Sequence, residues 1–365
     1  MLWKKLFLVL LINSLYVQYC YGQSDINNDG PLQCNPSTKH LFGKFFMQRF
    51  FDARTELGME DWKSRLLQNP AEYSQIAEHV IVKFFSWSSG TLIFYRRNNS
   101  PILYTRIWKC ANEGIGMNLH QLTVAERAPL SKGIVHEAKT QASLNAIVKT
   151  MYKDEFLNST DMTTFTFVRE PFSKFISGLA ESVFRTSPRI TLRKTEPLMV
   201  LNVTTAKKIF HKLLDCQQPL VQLDHIYPMS GALFEFNVNK VGHLERFKKD
   251  WDMYIRPAYQ IQMEYNEKHG AHPTSEIHPV RNKNSARVSV VDPSHVRPTL
   301  RLLFEKEIKY KRALCHLLLI DYICLPEYPL PYDCLFLNAT LTAAREALLM
   351  KKTIPHMMAH LGVAI

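Results

Sequence analysis

At 365 residues, 46% of them hydrophobic, the chain is long enough to bury a full core, and one domain of about 250 residues with extensions is the expected size. It carries no low-complexity tract and no internal repeat, which excludes linker-like and solenoid architectures. A formal net charge of +12 directs attention to anionic partners.

The chain opens MLWKKLFLVLLINSLYVQYCYGQS, with two lysines, an apolar run from Leu6 to about Val17, and a small residue at Gly22. This is the pattern of a signal peptide over residues 1–22; a short uncleaved anchor is the alternative. Asn13 and Gln18 interrupt a run already below the roughly 20 residues that a span needs, which favours cleavage. Membrane contact is expected only if the segment stays as an anchor.

Two features agree with a secretory address. Asn98, Asn158, Asn202 and Asn338 each begin an Asn-x-Ser/Thr sequon. Without Cys20 the cysteines are Cys34, Cys110, Cys216, Cys315, Cys324 and Cys334, an even number in an oxidising compartment. Cys324 with Cys334, the nearest pair, is the first expected bridge, and Cys110 is expected to be free. In that compartment an anionic nucleotide cofactor and an acidic glycan suit the positive charge better than nucleic acid, which is not expected; the expected acceptor is an acidic or neutral glycan.

Residues 23–88 read as an N-terminal helical segment, with Leu41, Phe42, Phe45, Phe46, Phe50 and Phe51 at helical spacing and a second short helix over 62–67. A main domain is expected over 89–335 and a C-terminal extension over 336–365. Residues 91–95 and 102–108 are β-rich runs separated by a polar turn. The second run leads into Lys109-Cys110-Ala111-Asn112, after which residues 113–119 open a helix. His136 precedes a helix that starts near Lys139.

The most informative stretch is TFTFVREPFSKFISGLAESVFR, residues 164–185. Residues 164–168 suit a buried strand, whereas Phe172, Phe175, Ile176, Leu179, Val183 and Phe184 mark one face of a helix. Pro171 falls at the first helical position. The helix is expected to present free N–H groups beside Arg169 as an anion site, with Ser177 two turns on offering a hydroxyl. Beyond it come a basic loop containing Arg189, Arg193 and Lys194, an amphipathic helix over 203–214, and a His225-x-x-Pro228 segment. A strand and helix entered through Gly242-His243-Leu244-Glu245, a polar Arg281-Asn282-Lys283-Asn284-Ser285 loop, and one long helix over 297–319 complete the pattern.

Arg169-Glu170-Pro171-Phe172 followed by Ser177 resembles the 3′-phosphate-binding signature of Golgi carbohydrate sulfotransferases. The resemblance spans roughly residues 102–334 and implies an α/β fold, a parallel sheet flanked by helices in the P-loop-like manner, working in the Golgi lumen or as a secreted protein. It implies 3′-phosphoadenosine 5′-phosphosulfate as donor, with Arg169 and Ser177 on the 3′-phosphate. Lys109, Cys110, Ala111 and Asn112 fall where that family carries its 5′-phosphosulfate loop, and Lys109 is then the catalytic cation on the bridging oxygen. This loop departs from the family pattern: Trp108 stands where a proline is usual, and Asn112-Glu113 replace small residues. His136 occupies the place of a catalytic base, with His225 as a second candidate. No metal is expected, since His-Glu-x-x-His, Cys-x-x-Cys and an acidic triplet are absent. The implied activity is O-sulfation of a glycan hydroxyl; a lumenal protein that kept the fold but lost catalysis, or a basic glycan-binding module, is the alternative. A nucleotide kinase is disfavoured by the absence of Gly-x-x-x-x-Gly-Lys-Ser/Thr.

Overall fold

The computed structural model describes residues 34, 39–59, 68–69, 90–94, 102–112, 114–116, 118–119, 135–138, 140–152, 163–186, 202–215, 225–256 and 293–349. All lie in the second of two units into which the chain divides, Gln33–Ile365. The leader, the expected helix over 62–67, Glu113, the basic loop, Cys216, the 281–285 loop, and the sequons at Asn98 and Asn158 lie outside the described residues. Among those described, no helix is long and apolar enough to cross a membrane.

Among the described residues five strands form one sheet: β1 (Thr91–Phe94), β2 (Ile102–Thr105), β3 (Val135–Ala138), β4 (Thr163–Val168) and β5 (Lys240–His243), in the order β3-β1-β2-β4-β5. The short polar link from β1 to β2 makes that pair antiparallel. β2, β4 and β5 are mutually parallel neighbours, because long crossovers separate them in sequence. The expected parallel sheet is thus present as these three strands, extended on one side by the antiparallel β1 and then by β3. β2 stops at Thr105 rather than running to Trp108. The Cys110 N–H donates to the Ile107 carbonyl at 3.1 Å, and that turn bends the chain out of the sheet.

The helices among the described residues are α1 (Lys39–Glu56), α2 (Gln141–Tyr152), α3 (Pro171–Thr186), α4 (Val203–Asp215), α5 (Ser230–Glu235), α6 (Phe247–Tyr254), α7 (Pro293–Lys306), α8 (Ile308–Cys324) and α9 (Asn338–Leu349). Thr140 and Ser143 cap α2 reciprocally, each accepting the other's backbone N–H at 3.1 and 3.0 Å. Asn202 accepts the Thr205 N–H at 2.8 Å and starts α4. The single long helix expected over 297–319 is two, α7 and α8. Glu307, at φ −106° and ψ 89°, leaves the helical region between them and is held by Lys207 of α4 at 2.7 Å.

One core cluster lies against the sheet: Tyr104, Phe165 and Phe167 from the strands, Ile115 and Leu119 from the segment after the lysine loop, and Trp251 and Ile255 around α6. A second packs Phe304 of α7 edge-on to Phe172, Phe175 and Phe210, which fixes α7 against α3 and α4.

The expected Cys324–Cys334 bridge is not formed. Cys334 pairs with Cys315, because the 3-10 turn Tyr332–Leu337 folds back along α8. Cys324, at the α8 terminus, pairs with Cys34 ahead of α1. Cys110 is free and buried, as expected.

Candidate active site

The carboxyl ends of β2 and β4 lie side by side, which is where open α/β sheets bind ligands. Lys109 follows β2 and Arg169 follows β4. α3 starts at this edge, and one of its faces carries Ser173, Ser177 and Glu181 at four-residue spacing. Arg169 Nη1 donates to Ser177 Oγ at 3.3 Å, and Lys109 Nζ lies 3.1 Å from Glu181 Oε2. The two sequence motifs therefore meet along a single helix face.

The amino end of α3 differs from expectation. Glu170 Oε1 accepts the Phe172 N–H at 2.9 Å, and Oε2 accepts the Ser173 N–H at 2.7 Å. The helix is capped by its own flanking carboxylate, so these amides are not open to an anion. Glu170 is itself fixed: Tyr322 donates to its Oε1 at 3.2 Å, and its N–H donates to Glu245 Oε1 at 2.9 Å. Tyr328 in turn donates to Glu245 Oε2 at 2.8 Å. Burial first, then the neighbouring Glu170 charge, pushes the Tyr322 phenol far above its ordinary value, so it remains a donor.

The lysine loop is held from several sides. Trp108 stacks on the His225 ring at 4.7 Å, Tyr104 donates to Asn112 Oδ1 at 2.7 Å, and Cys110 Sγ contacts Met229 Sδ at 3.7 Å. The Cys110 N–H is committed to Ile107, so it is not the free loop amide that sequence analysis assigned to anion binding. Its thiol is pushed up to about 12 by burial, against the Lys174 and Arg169 charges, and stays neutral near pH 7. Ala111 starts the helical turn that follows, its carbonyl accepting the Ile115 N–H at 3.0 Å. Asn112 Nδ2 is buried with no hydrogen-bond partner among the described residues. That leaves one donor in the loop whose chemistry fits a phosphate oxygen.

His136 pairs with Ile93 in β3, at the edge of the sheet, with β1 between it and β2. The fold does not bring its backbone beside Lys109 or Arg169. His225 is buried and adjoins the lysine loop through Trp108.

Several residues at the site were not legible as such. Glu181 was visible only as a polar position in an amphipathic pattern. Lys174 is completely buried, and its Nζ donates to the Tyr227 carbonyl. Arg297 of α7 stands close enough to Arg169 and Glu181 to feel both: burial first, then the Arg169 charge, pulls its guanidinium below the ordinary value, with Glu181 opposing. Their common signal is charge at a helix face, which does not say which loop that face meets. Among the described residues no group of His, Cys, Asp and Glu side chains could hold a metal ion.

A family model described as "Sulfotransferase family" matches residues 93–310, more than half of the chain and inclusive of both loops. No curated protein and no solved structure matches the chain.

Proposed function

The chain belongs to the sulfotransferase family, and from that premise we propose that it moves a sulfuryl group from 3′-phosphoadenosine 5′-phosphosulfate to a hydroxyl of a glycan, chondroitin-like or related, in the secretory pathway. The observation that carries this reading is the convergence of Lys109 and the Arg169–Ser177 pair on one face of α3. Ser177 and Glu181 are separated by one helical turn, about 6 Å. That spacing suits phosphates on either side of one ribose.

In this reading Arg169 and Ser177 hold the 3′-phosphate, and Ala111, Asn112 and the turn at Cys110 frame the 5′-phosphosulfate. Lys109 neutralises the charge that builds on the bridging oxygen. Bound there, the donor supplies an activated sulfuryl group. The acceptor oxygen bonds to sulfur as the bridging S–O bond breaks, its electron pair leaves with the nucleotide, and the hydroxyl proton passes to a base. By analogy with phosphoryl transfer, positioning and charge stabilisation account for most of the catalysis, with no metal required.

His136 as that base requires the acceptor to lie across the ends of β1 and β2, a span of two strand spacings or about 10 Å. His225 adjoins the lysine loop through its stacking on Trp108. A secretory location is supported by the two disulfides and by Asn202 and Asn338, which are exposed sequon asparagines.

Titration calorimetry with 3′-phosphoadenosine 5′-phosphate tests the donor site. The wild-type protein binds it, and Arg169→Ala loses about 2–5 kcal/mol of binding free energy. Equal affinity in the two proteins overturns the assignment.

A further inference from the structure

Lys109 stands in a backbone conformation that its side chain disfavours. Its φ is 66°, and Ala111, two residues on, has φ 59°. This left-handed region is usual for Gly, Asn and Asp, not for Lys or Ala, and such strain persists only where surrounding contacts impose it. The contacts are those around Trp108, Cys110 and Asn112, which hold the loop. The lysine ammonium itself pairs with Glu181. The two charged groups approach to 3.1 Å with side-chain exposures of 19% and 18%, so solvent screens the pair only in part.

A lysine ammonium carries three N–H donors on a flexible four-carbon stem, so its charge is placed only as well as its partners place it. The pair with Glu181 restricts how the ammonium is oriented. Glu181 does so from α3, the helix that presents Ser177 to Arg169, so both ends of the donor site are referred to one rigid element.

We infer that Glu181 is a positioning residue for Lys109: its carboxylate stays on the ammonium while the ammonium meets the phosphosulfate, without itself touching the donor. This rests on the proposed role of Lys109. The rival role for Glu181, proton acceptor for the glycan hydroxyl, acts independently of the lysine, and that difference can be measured.

The first measurement needs neither donor nor acceptor. An ammonium held against a carboxylate gives up its proton, and hence acylates, less readily. In the donor-free protein, mass spectrometry follows acylation of Lys109 by an N-hydroxysuccinimide ester, with Lys248, whose side chain is 83% exposed, as internal reference. Glu181→Gln is expected to raise the Lys109 rate about three- to ten-fold relative to Lys248. An unchanged ratio overturns the inference.

The second measurement is a double-mutant cycle in sulfate transfer. Lys109→Ala is expected to lower kcat about 10²- to 10³-fold, and Glu181→Gln about 10-fold or more, with affinity for 3′-phosphoadenosine 5′-phosphate retained by both. The double variant is expected to be no slower than Lys109→Ala alone. Full additivity overturns the inference and assigns Glu181 a role of its own. A Lys109→Ala protein with normal kcat removes the lysine assignment itself, and the inference falls with it. If Glu181→Gln fails to fold, Glu181→Asp serves in both measurements: it keeps the charge one methylene farther back and is expected to show a smaller change of the same sign, whereas wild-type behaviour in both overturns the inference.

Discussion

Glu170 takes the two amides that the start of α3 would otherwise offer to an anion, so an anion bound at this edge would be met by side chains. That is why the loss expected for Arg169→Ala is large: no helix amide stands behind the guanidinium to take over. Burial has a different consequence at His316, which lies between Asp52 and Glu56 of α1, with Arg49 and Arg312 nearby. Burial, reinforced by the two arginine charges against the pull of Asp52, lowers its pKa from 6.5 to about 4. The unfolded chain therefore binds a proton that the folded chain refuses between these values. The associated stability is complete above pH 6.5 and is lost as pH falls toward 4, by an amount on the order of 1–3 kcal/mol. Urea unfolding followed from pH 7 to 5 should show stability falling, with a shallower slope in His316→Gln; an identical slope in both proteins contradicts the assignment. The placement of Arg169, Ser177 and Lys109 beside strand-to-helix changes of period was legible in the sequence. The approach of Glu181 and Arg297 to them was not, because it depends on which loop and which helix these residues face across space.

Among the elements, α3 has the tightest constraint. A Cβ on Gly178 would overlap the carbonyl oxygen of His225 and stand 2.6 Å from its carbonyl carbon, and backbone cannot move aside as a side chain can. The glycine thus lets α3 close on the His225 segment, whose ring supports Trp108 and the lysine loop. Gly178→Ala is expected to cost about 1–3 kcal/mol or more in urea unfolding, and to lower sulfate transfer through displacement of that loop. A variant of wild-type stability and activity contradicts this packing. β1, β2, β4, α3 and α4 were legible because period, β-branching and caps agree locally, as at Asn202 and Pro171. The break at Glu307 was not legible, since neither Pro nor Gly marks it and the Lys207 contact that accompanies it comes from a residue 100 positions away.

For the whole molecule, the strand order, the paired carboxyl ends of β2 and β4, and the two disulfides are all non-local. The Cys34–Cys324 bridge closes 290 residues and ties the segment ahead of α1 to the end of α8; proximity in sequence suggested a different partner for Cys324. The partner of Cys334 was not readable from spacing, because it is set by how the chain after α8 folds back. The net charge of +12 and the cations Lys109, Arg169 and Arg297 at one edge of the sheet suit an anionic donor and an anionic or hydroxyl-rich acceptor. The most direct test is transfer of radiolabelled sulfate from 3′-phosphoadenosine 5′-phosphosulfate to a panel of desulfated glycans by the purified protein, in parallel with Lys109→Ala. Label appearing on at least one glycan with the wild-type protein, and falling about 10²- to 10³-fold with the variant, is the result this account predicts. A wild-type protein that binds 3′-phosphoadenosine 5′-phosphate yet labels none of the glycans, or a variant that transfers at the wild-type rate, would contradict it.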